Sequence, residues 1–187
     1  MGIAMDLFWR QGYEGTSTAQ LTEAMGIAPP SLYAAFGSKD ALYREAIARY
    51  QLEHGDYFVR ALEAQTTARA AIEAVLLGAA RQFTGAGHAP GCMVATAHVQ
   101  SAAVNQGMVD ELRAIRLGAT AAMQQRLEAG IAAGELPASA DAKLLASFFA
   151  LVIQGMAVQA HDGADRIMLE QAAALAMQAW PAEETPV

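Results

Sequence analysis

A single cysteine, Cys92, among 187 residues excludes an intrachain disulfide and fits a reducing, cytoplasmic compartment. Charge is scarce too, at 17% of residues, and basic charge scarcer still: 12 basic side chains face 19 acidic ones, for a net charge of −7. That balance argues against a protein that coats nucleic acid regardless of sequence, although a sequence-specific reader needs only one neutral or positive face. β-Branched residues are sparse and seldom alternate with polar ones, so strands are not expected. No run of about 18 apolar residues escapes interruption by polar or charged side chains, so no membrane span is expected. A basic segment followed by an apolar core is missing from the N-terminus, so no secretory signal is expected.

The chemistry of catalysis is equally thin. Cys92 and His98 are six residues apart, which on a helix places them on opposed faces, so no nucleophile–base pair is specified. The four histidines make neither a His-x₃-His nor a Glu-x-x-His pattern, so no metal is indicated. Gly85-x-Gly87 follows a helical stretch rather than a strand and is no dinucleotide fingerprint. The expectation is a protein that is not an enzyme and needs no cofactor.

What is present favours helix. The composition is 54% hydrophobic, rich in alanine, leucine, glutamine and methionine. An all-α chain is expected, with an N-terminal three-helix domain over residues 1–50 and a larger helical domain over 51–187. A first helix carries Ala4, Leu7 and Phe8 on one face, with Trp9 beside it, and ends at Gly12. Thr16, Ser17 and Thr18 offer N-cap hydroxyls for a second, whose Ala19, Leu21, Ala24 and Met25 point inward. Gly26 stops it, and Ile27 plugs the turn. A third helix opens at Ala28-Pro29-Pro30, where proline costs little because those N–H groups lack helical partners. Leu32 and Phe36 must face its core. Gly37 breaks it, Ser38 caps the next helix, and Asp40 suits the positive end of that helix dipole. Further helices are expected over about 66–83, 92–100, 108–133, 139–161 and 165–180, with a loop over 85–91.

Two short helices joined by a glycine turn form a helix-turn-helix, which sets one helix in the major groove of DNA. The outer face of the third helix carries Ser31 and Tyr33, with Ser38 and Lys39 just beyond. Hydroxyls and helix N-terminal amides suit phosphate oxygens, and Lys39 adds a point charge. The first fifty residues hold four basic and five acidic side chains, so this domain is nearly neutral.

Phe8…Gly12-Tyr13…Gly15-Thr16-Ser17, Leu21…Ala24-Met25-Gly26-Ile27 and Ser31-Leu32-Tyr33…Phe36-Gly37-Ser38-Lys39-Asp40-Ala41-Leu42 resemble, in order and spacing, the DNA-binding domain of TetR/AcrR-family transcriptional regulators. The resemblance covers about 40 residues; beyond it, only the helical layout and a Gly91-Cys92-Met93 segment are similar. It implies a homodimeric, ligand-responsive regulator, usually a repressor, acting on double-stranded operator DNA. Carried over by position, Thr18, Pro29, Ser31, Tyr33 and Lys39 are the DNA-contacting candidates. The family often has lysine where this chain has Pro29, and a basic leader usually precedes the first helix. An alternative from another class is a helical small-molecule-binding or scaffold protein of the same fold without DNA binding.

Two features concern the larger domain. The run from Leu144 to Met156 is apolar nearly all round, and the last helix has an apolar stripe too wide for one packing surface. Those helices, about 140–161 and 165–180, are expected to pair with a second copy as a four-helix interface. Phe58, Leu62, Phe83, Cys92, Met93, Met123, Leu127, Phe148, Val152 and Met156, with Ala97, come from different helices and are candidates to line an apolar pocket for an unknown effector. Methionine suits such a site. His88, His98 and His161 are candidates for its polar groups.

Overall fold

The computed structural model describes residues 1–96 and 106–181. Every regular element among them is helical: α1 Gly2–Gly15, α2 Thr18–Met25, α3 Pro29–Phe36, α4 Lys39–His54, α5 Asp56–Ala64, α6 Ala68–Phe83, α7 Met93–Thr96, α8 Gln106–Ala132, α9 Ala142–His161 and α10 Arg166–Ala176, which runs into a 3₁₀ turn at Met177–Ala179. His98 and Ala97 lie outside the described residues, as does the end of the helix expected over 92–100. The expected all-α architecture is the observed one.

The caps explain the head, α1 to α4, as distinct from the body, α5 to α10. Gly12 breaks α1 with a positive φ of 71°. Ser17 caps α2 in a capping box with Gln20, each side chain bonding the other's backbone N–H at 3.1 and 2.8 Å. Gly26 ends α2 in the left-handed conformation (φ 67°, ψ 31°), which costs a Cβ-bearing residue energy. Its turn is closed by Ile27 N–H donating to Thr22 O at 3.0 Å. Ser38 accepts from Ala41 N–H at 3.1 Å and opens α4. The inward face of α2 is Leu21, Thr22 and half-buried Met25. Ala19 and Ala24 are exposed, contrary to expectation. Thr22 takes the inner place because its hydroxyl returns to the Thr18 and Ala19 carbonyls at 3.0 Å, so burial leaves no polar atom unpaired.

Beyond α4 the chain bends at Gly55 and makes α5, an element not singled out in the sequence. No residue of α5 is fully buried, so its pattern is that of a lid on α6 rather than of a core helix. The body core is built from α6, α8, α9 and α10 around Ile72, Leu76, Phe83, Leu127 and Phe149. By length and hydropathy α9 suits a membrane, but it packs on α6, α8, α10 and α7.

Head and body share side chains. Met93 and Val94 of α7, Ala89 of the preceding loop, and Met108 and Leu112 of α8 are buried with Phe8, Trp9, Tyr43 and Tyr50 of the head. Gly91 makes this possible. Its φ is +79°, and a Cβ there would lie 2.6 Å from the Ala157 carbonyl oxygen of α9. Its N–H donates to Phe83 O at 2.9 Å. Only glycine satisfies both the backbone conformation and the close approach.

Gly91→Ala should therefore destabilise the protein by about 2–3 kcal/mol in urea unfolding. Gly118→Ala, in α8 with open space around it, should stabilise by about 0.5–1 kcal/mol, because it removes a glycine from a helix interior. Equal effects at the two positions would contradict this account.

Candidate nucleic-acid interface

Packing of Leu21 and Leu32, both fully buried, sets the angle of α2 against α3 and leaves one face of α3 bare. That face presents Pro29, Pro30, Ser31, Tyr33 and Ala34, all exposed; Phe36 is half-buried. Tyr33 is 49% exposed, well beyond what packing requires of an aromatic. Thr18 is half-buried at the first position of α2.

Expected helix-terminal amides are largely missing from α3. Pro29 and Pro30 have no N–H. Ser31 and Leu32 N–H both donate to the Ala28 carbonyl, at 2.9 and 3.3 Å. Hydroxyls therefore remain the main polar groups of this helix, those of Ser31 and Tyr33.

Lys39 is placed by an aromatic scaffold. Its Nζ lies 4.0 Å above the Tyr13 ring. The Tyr13 hydroxyl in turn donates to the Asp40 carboxylate. Partial burial lowers the Lys39 pKa from its ordinary value, against the opposing pull of Glu14 and Asp40. The other cations of the first fifty residues carry ion pairs: Arg10 with Asp6, Arg44 with Glu111 of α8, and Arg49 with Glu53, at 2.8, 2.9 and 2.8 Å. The surface around α3 is thus electrostatically quiet, with Lys39 as its positioned charge.

Residues 3–46 match the family model for bacterial regulatory proteins of the tetR family, and residues 68–176 match the tetracyclin repressor-like C-terminal domain. The chain belongs to the tetR family. It is a DNA-binding transcriptional regulator. It is 33% identical to the HTH-type transcriptional repressor ComR of Escherichia coli (strain K12) over 95% of this chain and 85% of that protein. It is 35% identical to the HTH-type transcriptional repressor BdcR of the same organism, over 50% of this chain and 48% of that one. Among solved structures, a cysteine mutant of the TetR family regulator CifR, complexed with a 26-bp double-strand operator, superposes with a TM-score of 0.92 at 42% identity. That match covers 96% of this chain and 94% of the other.

The ten expected effector-pocket residues are mostly brought together, but as packed core. Phe83, Met123, Leu127 and Met156 are at most 3% exposed in the body core. Phe58, Leu62, Cys92, Phe148 and Val152 pack half-buried against it. Met93 belongs instead to the shared head–body cluster. Of three cavities described, two are lined by none of the ten; Met93 alone lines the third.

Sequence reasoning missed His54. It stands four residues beyond Tyr50 on α4, a continuation of the stripe already recognised there. His54, His88, Trp9 and Tyr50 form an aromatic cluster between head and body, with Trp9 stacked on His88 at 4.8 Å and the two imidazoles 5.0 Å apart. Gln82 Nε2 lies 3.0 Å from His54 Nδ1 and 3.3 Å from His88 Nε2. His88 Nδ1 faces the Ala89 carbonyl at 2.8 Å, so it must carry the proton. His88 Nε2 then accepts from the Gln82 amide, whose second hydrogen goes to His54 Nδ1. His161 is exposed at the end of α9.

Burial, and then the neighbouring His88, lower the His54 pKa from the ordinary histidine value, with Glu53 opposing. A histidine depressed in the folded state binds its proton more readily when unfolded. Its stabilisation is complete above about pH 6.5 and is lost as pH falls through the folded value. Urea stability should therefore decline from pH 7.5 to pH 5 more steeply in the native protein than in His54→Asn. Parallel pH profiles would remove His54 from this role.

Proposed function

We propose that this regulator is a repressor that binds a palindromic operator as a homodimer and releases it when a small-molecule effector binds. The observation that carries the reading is the α2–α3 pair: its core contacts leave a bare, uncharged helix face flanked by Lys39. The operator-bound CifR structure and the repressor names of two relatives support it over a same-fold scaffold without DNA binding.

In this reading α3 enters the major groove. Ser31 and Tyr33 contact base edges and phosphates, Pro29 makes apolar contact, and Thr18 and Lys39 bind backbone phosphates on either side. With one positioned cation per head, non-specific affinity is low and shape and hydrogen bonding dominate. The test is fluorescence anisotropy on DNA flanking its own gene, across a salt series. Tyr33→Ala should weaken operator binding by about 10–100-fold, and Lys39→Ala should reduce the salt slope by about one. Unchanged binding in both variants would exclude this face as the reader.

Dimerisation through α9 and α10 is supported by where apolar side chains remain uncovered. Of eleven large apolar residues exposed among the described residues, six lie on these two helices. Leu144, Leu151 and Val158 repeat every seven residues along α9, and Ile167, Met168 and Leu175 continue the patch on α10. Such a patch marks an interface in a water-soluble chain. Pairing two copies sets the head separation, which must match groove repeats of about 34–36 Å. Leu151→Glu should convert the dimer to monomer in sedimentation and abolish tight operator binding. A variant that stays dimeric would move the interface elsewhere.

A further inference from the structure

We propose that Tyr13, an α1 residue outside the helix-turn-helix, sets the operator affinity of the head by keeping Lys39 and Asp40 apart: its ring carries the ammonium, and its hydroxyl holds the carboxylate that would otherwise pair with it. This rests on the reading of Lys39 as a phosphate contact and adds the group that keeps it available. Tyr13 need not touch DNA. It acts through Lys39 and is a positioning residue.

Tyr13 is itself fixed by the core of the head. Gly12 breaks the helical path of α1 just before it, with φ 71° and ψ 175°, a conformation that favours glycine. The half-buried Tyr13 ring then lies nearly parallel to Phe8, at 6.3 Å and 12°, and edge-on to Tyr43 at 5.2 Å. Phe8 and Tyr43 are at most 1% exposed and meet each other at 4.9 Å. A ring held by two buried rings has little freedom, so a group resting on it is placed as firmly as the core beneath.

Two charges rest on Tyr13. Lys39 Nζ lies 4.0 Å from the ring centroid. A cation is drawn to the ring face, which leaves ammonium N–H groups on the far side for a phosphate oxygen. Ordering this long side chain before DNA arrives reduces the entropy lost on binding. Asp40 follows Lys39 directly, and its charge, second to that of Glu14, reaches the ammonium: both act to raise the Lys39 pKa against the larger lowering by burial. Elsewhere in the head such a neighbour captures the cation, as Asp6 does Arg10 and Glu53 does Arg49, four positions away in each case. Lys39 forms no ion pair with a described residue. The Asp40 carboxylate instead accepts from the Tyr13 hydroxyl, a charge-assisted bond stronger than one between neutral groups. Without that bond the carboxylate would turn to the ammonium and offset the positioned charge of the reading face.

The test uses the full-length protein and DNA flanking its own gene, read by anisotropy across a salt series. Tyr13→Phe keeps the ring and frees Asp40. It should weaken operator binding about two- to fivefold per head, the range of an exposed ion pair competing for Lys39. It should also lower the salt slope, because an ammonium already paired to a carboxylate adds little to counterion release. In an Asp40→Asn background the same change should cost nothing. Tyr13→Leu in that background should still cost about two- to fivefold, through loss of the cation–π contact. A second readout needs no DNA. Lys39 and Lys143 are the two lysines, so reductive methylation with isotope-labelled formaldehyde gives two lysine methyl signals beside that of the N-terminus, assigned with Lys143→Arg. Ring current should shift the Lys39 signal upfield in the native protein. The shift should shrink in Tyr13→Phe, return when Asp40→Asn is added, and vanish in Tyr13→Leu. A Lys39 signal without that shift, or a Tyr13→Phe loss that persists when Asp40→Asn is added, would overturn the proposal. Operator binding that ignores Tyr13→Phe would reject the proposal alone; absence of operator binding by the native protein would reject it together with the regulator reading.

Discussion

The contact between Gly91 and the Ala157 carbonyl is the constraint on which the arrangement of head and body depends. A backbone that must approach a helix that closely, with positive φ, has no room for a side chain. Because Gly91 is seated there, the following turn, α7, is driven under the head. Met93 and Val94 then complete a core that α1 and α4 cannot close alone. Head and body are thus one packed object at this point rather than two units on a tether. A close-packed interior passes small displacements on instead of absorbing them.

Three sets of groups meet in this junction. The Arg44–Glu111 pair joins α4 to α8 at an exposed site, where such pairs contribute little. Trp9, Tyr50, His54 and His88 form a partly buried aromatic and imidazole cluster, and the Gln82 amide bridges its two imidazoles. Beside it lies the cavity lined by Phe8, Trp9, Tyr43 and Met93. Apolar burial binds head to body here, while the polar groups set the conditions under which that binding holds.

The recognition helix separates fold from affinity. Its two leading prolines help to start a helix and at the same time delete the amides that helix N-termini usually offer to phosphates. Its only polar side chains are hydroxyls. Lys39 is steadied over Tyr13, whose own hydroxyl is tied to Asp40. A reader built this way draws little on long-range attraction, in keeping with the chain's net charge of −7. Its discrimination must come from fit and from a few directed hydrogen bonds, which the proposed pairing of two heads would hold in register.

Most of the helices, though not α5, and the helix-turn-helix were legible in the sequence because they are local. Ser17, Gly26, Pro29-Pro30 and Ser38 act within four residues of themselves, so their order on the chain carries their meaning. The apolar excess of α9 and α10 was legible for the same reason: a helix has a fixed period, and a stripe too wide for one neighbour announces a second. Thr22 replacing Ala19 and Ala24 on the buried face of α2 was not legible, because it depends on a hydroxyl finding carbonyls one turn back. Least legible of all was the packing around the ten residues expected to line a pocket. Which methionines and phenylalanines pack solidly and which border a void is decided by how distant helices meet. Met93 borders the head–body cavity, while four of the other nine candidates are buried in the body core and five pack half-buried against it; Gly91 and Ala157, whose close approach seats the turn that carries Met93, lie 66 positions apart. Periodicity along one helix cannot encode that distance; only the folded chain sets it.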